Sequence, residues 1–85
     1  MEFQKSEGRI FAQDETGKLV AEITFPTTSE NTYCINHTFV DPSLTGQGIA
    51  GQLVQMAVVQ IRAQGGAVTA TCSYAAKWLE KHPDY

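Results

Sequence analysis

Between Arg9 and Phe25 apolar and polar residues alternate on either side of a turn. Ile10 and Ala12 alternate with polar neighbours, Asp14-Glu15-Thr16-Gly17 has turn chemistry, and Leu19, Ala21, Ile23 and Phe25 resume the alternation. That period of two predicts a pair of antiparallel strands. Pro26 to Asn31 lacks periodicity and reads as a loop. Thr32 to Val40 regains strand composition, with Tyr33, Ile35, His37 and Phe39 on one face and Cys34, Asn36, Thr38 and Val40 on the other. Asp41-Pro42-Ser43 ends that strand, because proline cannot continue a central ladder. The period then becomes helical from about Gly48 to Gln64, where Ile49, Ala50, Leu53, Val54, Ala57, Val58 and Ile61 form one apolar face and Val59 alone interrupts the polar one. Gly65-Gly66 predicts a left-handed helix end. Ala67 to Cys72 is a short β-prone run, and a last helix spans about Ser73 to Lys81 before His82-Pro83 stops it. The N-terminal segment ahead of Arg9 either frays or adds an edge strand.

The expected order is β-β-β-α-β-α: an α+β fold whose mixed sheet has antiparallel N-terminal strands and one parallel pair at the β-α-β unit. A right-handed crossover makes the strands of that unit parallel. Their C-terminal ends then share one sheet edge with the N-terminus of the connecting helix. Phe39-Val40, the Gly46 to Gly51 turn and Cys72 are therefore expected around one crevice, where open α/β sheets bind ligands.

Eighty-five residues, 42% of them hydrophobic, predict a single small domain. Six Lys and Arg against nine Asp and Glu give a formal charge of −3. That balance argues against nucleic acid or an anionic membrane as partner. Gln55 and Gln60 interrupt the longest apolar stretch, so no membrane span is expected. The polar stretch from Met1 to Ile10 carries no secretory pattern, and a cytoplasmic location follows as the expectation. Cys34 and Cys72 lack CxxC spacing and are expected as reduced thiols. His37 and His82 lie far apart in sequence without paired ligands, so no metal site is expected.

Thr45-Gly46-Gln47-Gly48-Ile49-Ala50-Gly51 joins a strand to a helix with three glycines. Such a turn lets backbone N–H groups approach an anion at the positive end of the helix dipole. Gly46, Gly48 and Gly51 match GxGxxG formally, but no acidic residue stands near twenty positions downstream to hold a ribose, and the P-loop lysine is missing. A flexible turn with close helix packing is the plainer alternative.

His37-Thr38-Phe39-Val40, Pro42, Gly46-Gln47-Gly48-Ile49-Ala50 ahead of an apolar helix, Cys72-Ser73-Tyr74 and the closing His82-Pro83 with Tyr85 together resemble the minimal GNAT-like N-acetyltransferases. These are very short members of the GNAT superfamily, and the resemblance runs from about Arg9 to Tyr85. It implies a three-layer GNAT-like fold and acetyl-CoA as donor. It assigns the loop of Thr45, Gly46, Gln47, Gly48, Ile49, Ala50 and Gly51 to the coenzyme A pyrophosphate, and the backbone at Phe39 and Val40 to pantetheine and the acetyl carbonyl. The superfamily's loop usually begins with Arg or Gln where this chain has Thr45, so weaker phosphate binding is expected, not its loss.

Cys72 lies where a strand hands over to the last helix, a placement that lowers a thiol pKa. A thiolate beside an acyl thioester can accept the acyl group, and the minimal family carries a candidate nucleophilic cysteine here. The alternative is a small buried hydrophobe. His37 is either a general base or a hydrogen-bonded core residue, a choice that its solvent access decides. Tyr74 either protonates departing coenzyme A thiolate or packs its ring at the cofactor. Trp78 shares its helix face, Lys77 reaches a 3′-phosphate if its face meets the groove, and Cys34 reads as core.

The expected function is acetyl transfer to an amine, either a small molecule or a protein tail. The chain is too short for the N-terminal helices that wall the acceptor side of full-length GNAT proteins. A non-catalytic coenzyme A binding or sensing module, and a structural domain, are therefore the alternatives. A monomer or weak homodimer is expected.

Overall fold

The computed structural model describes residues 2–85. A short strand β1 (Gln4–Ser6) pairs antiparallel with β2 (Arg9–Gln13), and β2 pairs with β3 (Leu19–Thr24) across the Asp14–Gly17 turn. Asp14 closes that turn, its carboxylate accepting from the Thr16 and Lys18 amides and the Thr16 hydroxyl. Beyond it lie β4 (Thr27–Ser29), β5 (Thr32–Ile35), β6 (His37–Val40), a 3-10 turn at Pro42–Leu44, α1 (Ile49–Ala63), β7 (Ala67–Ala70) and α2 (Ser73–Lys81).

The mixed architecture matches the α+β expectation. The N-terminal segment takes the edge-strand alternative as β1, and two details correct the expected order. The stretch expected as a loop, Pro26 to Asn31, contains β4 paired with β5, where threonine and serine on an exposed edge suffice for pairing. The single strand expected over Thr32 to Val40 is broken at Asn36, and its halves belong to different sheets: β1-β2-β3-β6 and β4-β5-β7.

Asn36 causes the break as an extra residue. Its amide donates to Thr24 O at 3.2 Å, while Thr24 Oγ1 holds its side chain. That carbonyl belongs to the residue paired with His37, so two residues oppose one, as in a β-bulge. A bulge resets the alternation of faces. The expected grouping of His37 with Ile35 is overturned accordingly: Ile35 is fully buried and His37 is exposed. The parallel pairing is likewise confined to β5 and β7, from Thr32 beside Ala67 to Ile35 beside Ala70. β6 and β7 diverge, leaving a split between the sheets.

Ile10, Ala12, Ala21 and Ile23 point inward from β2 and β3 onto Leu53, Val54, Ala57, Val58 and Ile61 of α1, all fully buried. Burying each large aliphatic side chain contributes about 1.5–3 kcal/mol, so this layer fixes α1 against the sheet. Gly65, at φ 76°, ends α1, with Gly65 N bonded to Arg62 O and Gly66 N to Ile61 O, the paired bonds of a Schellman cap. The absence of a side chain on Gly66 lets Ile61 and the Tyr33 ring close over it. No helix among the described residues is long and apolar enough to cross a membrane.

Candidate active site

The bend between β6 and α1 is fixed at its base by Asp41. Its amide donates to Val20 O, and its carboxylate accepts from Ser43 N at 3.0 Å and Ser43 Oγ at 2.6 Å, with Lys18 Nζ at 3.4 Å. The Ser43 bonds, hydroxyl first, together with Lys18, hold this carboxyl below its ordinary value despite an opposing desolvation effect. From that anchor the chain passes through two left-handed residues, Gly46 at φ 85° and Gly48 at φ 71°. A Cβ at either would meet nothing within 4 Å. Backbone conformation, not space, demands glycine there.

Gly48 caps α1 without a side chain, and the first turn holds no acidic residue. The first intrahelical bond runs from Gln52 N to Gly48 O. The amides of Ile49, Ala50 and Gly51 thus have no acceptor within the helix, and they lie at its positive end. They face a cavity of about 220 Å³ lined by Val40, Leu44, Thr45, Gly46, Gly48, Ile49, Ala50, Gly51 and Tyr74. Gly51 admits the far wall: a Cβ there would lie 3.3 Å from Tyr74 Oη and 3.8 Å from Trp78 Nε1. Tyr74 also borders a hollow of about 120 Å³ lined by Lys77, Trp78 and Lys81. Two hollows of about 520 Å³ are larger, one between Lys5 and α1, the other beside Asp14 and Glu15. The amide donors single out the smaller cavity, since volume alone supplies no chemistry.

Of the expected site residues, Val40, Thr45, Gly46, Gly48, Ile49, Ala50, Gly51 and Tyr74 line this one cavity, and Gln47 stands outside its wall. Phe39 also lies apart. It pairs with Glu22, and the Asp41 N to Val20 O bond continues the same ladder. By alternation the amides of His37 and Phe39 turn toward β3, whereas those of Thr38 and Val40 face the split. The side chains of His37 and Phe39 share the outer face with Glu22, away from α1.

Cys72 spans the split from the other side. Its amide donates to Ile35 O at 3.2 Å, anchoring it to β5, and its Sγ lies 3.5 Å from Thr38 Oγ1 on β6. It also caps α2. Burial pushes the thiol up, but the Ala75 amide, the Thr38 hydroxyl and the Tyr74 and Thr38 amides outweigh it and bring the pKa below its ordinary value. Cys34 is buried, with its sulfur 3.7 Å from Thr71 Oγ1.

His37 does not meet Cys72, since consecutive residues of β6 point to opposite faces. Its side chain is 53% exposed, with Nε2 3.5 Å from Glu22 Oε1, and Arg9 Nε binds the other carboxylate oxygen. Solvent access therefore rules out the core reading of this histidine. Two participants went unrecognised in the sequence: Thr38, and the Arg9–Glu22 pair beside His37. Strand periodicity places Thr38 opposite His37 but does not reveal its partner across the split.

The model of the GCN5-related N-acetyltransferase family matches residues 9–85. The chain belongs to the GCN5-related N-acetyltransferases. A GCN5-like protein from Staphylococcus aureus, assigned to the N-acetyltransferases and solved in solution, is similar at 32% identity and a TM-score of 0.80, over 99% of this chain and 82% of that one. Two larger structures share the fold. An IAA acetyltransferase from Bacillus cereus is 19% identical at a TM-score of 0.66, over 86% of this chain and 51% of that one. A ribosomal-protein-alanine N-acetyltransferase from Brucella melitensis is 18% identical at 0.61, over 91% and 64% respectively. Among curated proteins nothing matches. On its family membership this GCN5-related N-acetyltransferase is an acyltransferase.

Proposed function

We propose that the protein transfers an acetyl group from acetyl-coenzyme A to a primary amine. The observation that carries this reading is the set of unpaired α1 amides behind two left-handed glycines, opening on a cavity of about 220 Å³ beside the split. That cavity suits a diphosphate. The turn holds two negative charges with main-chain donors and the helix dipole, and no Cβ obstructs them. Lys77 and Lys81, which line the hollow past Tyr74, are cations whose position supports a role at the 3′-phosphate end. The amides of Thr38 and Val40 face the split as donors for pantetheine and for the oxygen of the reacting carbonyl.

The donor supplies an activated thioester when bound. The Cys72 thiolate attacks its carbonyl carbon, a new bond forms at Sγ, the bond to coenzyme A sulfur breaks, and coenzyme A leaves as thiolate. The amine then attacks the acyl-cysteine, and Sγ regains its electron pair as the nitrogen loses a proton. That proton passes to solvent at the open split, because His37 lies on the outer face beside Glu22, out of reach of the Cys72 sulfur.

The test is coenzyme A release from acetyl-coenzyme A across a panel of polyamines, amino sugars, and peptides with free N-termini or lysines. The reading expects release that depends on one class of amine. Release at the protein-free background with every amine, while the protein still binds coenzyme A, overturns it.

A further inference from the structure

We infer that Thr38 is the positioning residue for the Cys72 sulfur, its hydroxyl donating to the thiolate across the split and holding it toward the other sheet. The inference rests on the acyl-relay reading of Cys72 and adds to it a residue outside the cavity wall. Its basis is the way Cys72 is tied to both halves of the divided sheet. The backbone of Cys72 belongs to the β5–β7 side through Ile35 O, and its side chain crosses to β6, where Thr38 Oγ1 is 3.5 Å away.

The bulge at Asn36 makes this contact possible. It resets the alternation so that Thr38, half-buried, turns both its amide and its side chain to the split, while His37 turns outward. Without that extra residue β6 would continue the face pattern of β5. A sulfur at the mouth of α2 is free to rotate about its Cα–Cβ bond. The Thr38 hydroxyl, from the opposite wall, selects the rotamer that points across the gap. Hydrogen bonds to a charged acceptor are stronger than neutral ones, so the hydroxyl favours thiolate over thiol as well as direction. The groups facing Cys72 are the Thr38 hydroxyl and amide and the α2 amides of Tyr74 and Ala75.

The test is the rate of Cys72 carbamidomethylation by iodoacetamide as a function of pH, read by peptide mass, for the parent, Thr38→Val and Thr38→Ser. Valine matches threonine in shape without the hydroxyl, and serine keeps the hydroxyl. Expected is a curve for Thr38→Val displaced to higher pH, so that on its acid limb the rate falls about 3- to 10-fold, corresponding to roughly half to one pKa unit. On the alkaline plateau the two rates should meet, and Thr38→Ser should stay within about twofold throughout. Amide spectra of each variant establish that the fold is retained. Superimposable curves for the parent and Thr38→Val overturn the inference. So does a uniform drop at every pH, which would signal altered access instead of altered thiolate. A displaced curve in a parent whose Cys72 gains no acetyl group from acetyl-coenzyme A supports the Thr38 contact and overturns the relay.

Discussion

Replacing Gly48 by alanine separates the conformational cost of the glycine turn from its role in binding. Gly48 sits at φ 71° with nothing within 4 Å of the place a Cβ would take, and Gly17, in the β2–β3 turn, sits at φ 87° with the same open surroundings. Alanine in the left-handed region costs about 1–2 kcal/mol, partly offset by a stiffer unfolded chain. Gly48→Ala and Gly17→Ala should therefore each lose about 1 kcal/mol, or about 4–8 °C in Tm for a domain of this size. Their binding should differ. At Gly48 the chain can relieve the strain only by rotating the peptide planes that aim the α1 amides into the cavity, and one charge-assisted bond lost is worth about 1.5–3 kcal/mol. Calorimetric titration with coenzyme A should show Gly48→Ala about 10- to 100-fold weaker and Gly17→Ala unchanged. Equal affinities for the two variants, at equal Tm, would refute the assignment of the turn.

Other consequences are testable separately. Gly66→Ala brings a Cβ to 2.9 Å from Ile61 Cγ2 and 3.0 Å from the Tyr33 ring. Overpacking of this kind should cost about 1–3 kcal/mol in urea denaturation without reaching the cavity. The Asp41 carboxyl is held below its ordinary value of 3.8 by Ser43 and Lys18. A depressed folded pKa gives stability that is complete above the unfolded value and lost as pH falls through the folded one. Urea midpoints should thus decline in acid, and Asp41→Asn, which keeps an acceptor but cannot titrate, should flatten the decline. A parallel displacement of the whole curve would contradict that origin. Lys77→Gln with Lys81→Gln should weaken coenzyme A about two- to fivefold, given up to about 1 kcal/mol from exposed charge pairs, and leave 3′-dephospho-coenzyme A unaffected. Equal weakening of both ligands would place the 3′-phosphate elsewhere.

Elements with a strong period were legible from the chain. The hairpin of β2 and β3, the apolar face of α1 with Val59 outside it, and the Gly65-Gly66 stop all follow from residue spacing, because each buries one face or needs one special dihedral. The glycine turn could be placed for the same reason. The break at Asn36 could not, since asparagine is unremarkable in a polar stretch of strand and its bulge depends on a carbonyl of β3, distant in sequence. That one residue controls which of His37 and Thr38 meets Cys72. It also explains why Phe39, beside Val40 in the chain, faces away from the split. β4 was hidden because an exposed three-residue edge strand has no apolar alternation to display.

The central claim is that main-chain amides at the start of α1 grip a diphosphate. It is tested most directly by an amide-resolved ¹H–¹⁵N titration of the protein with coenzyme A. The largest saturable shifts are expected at Gly46, Gly48, Ile49, Ala50 and Gly51, with Gly17 and Gly65, left-handed glycines outside the cavity wall, unmoved. Silence of the turn at millimolar coenzyme A, or shifts centred on another surface, would contradict the account.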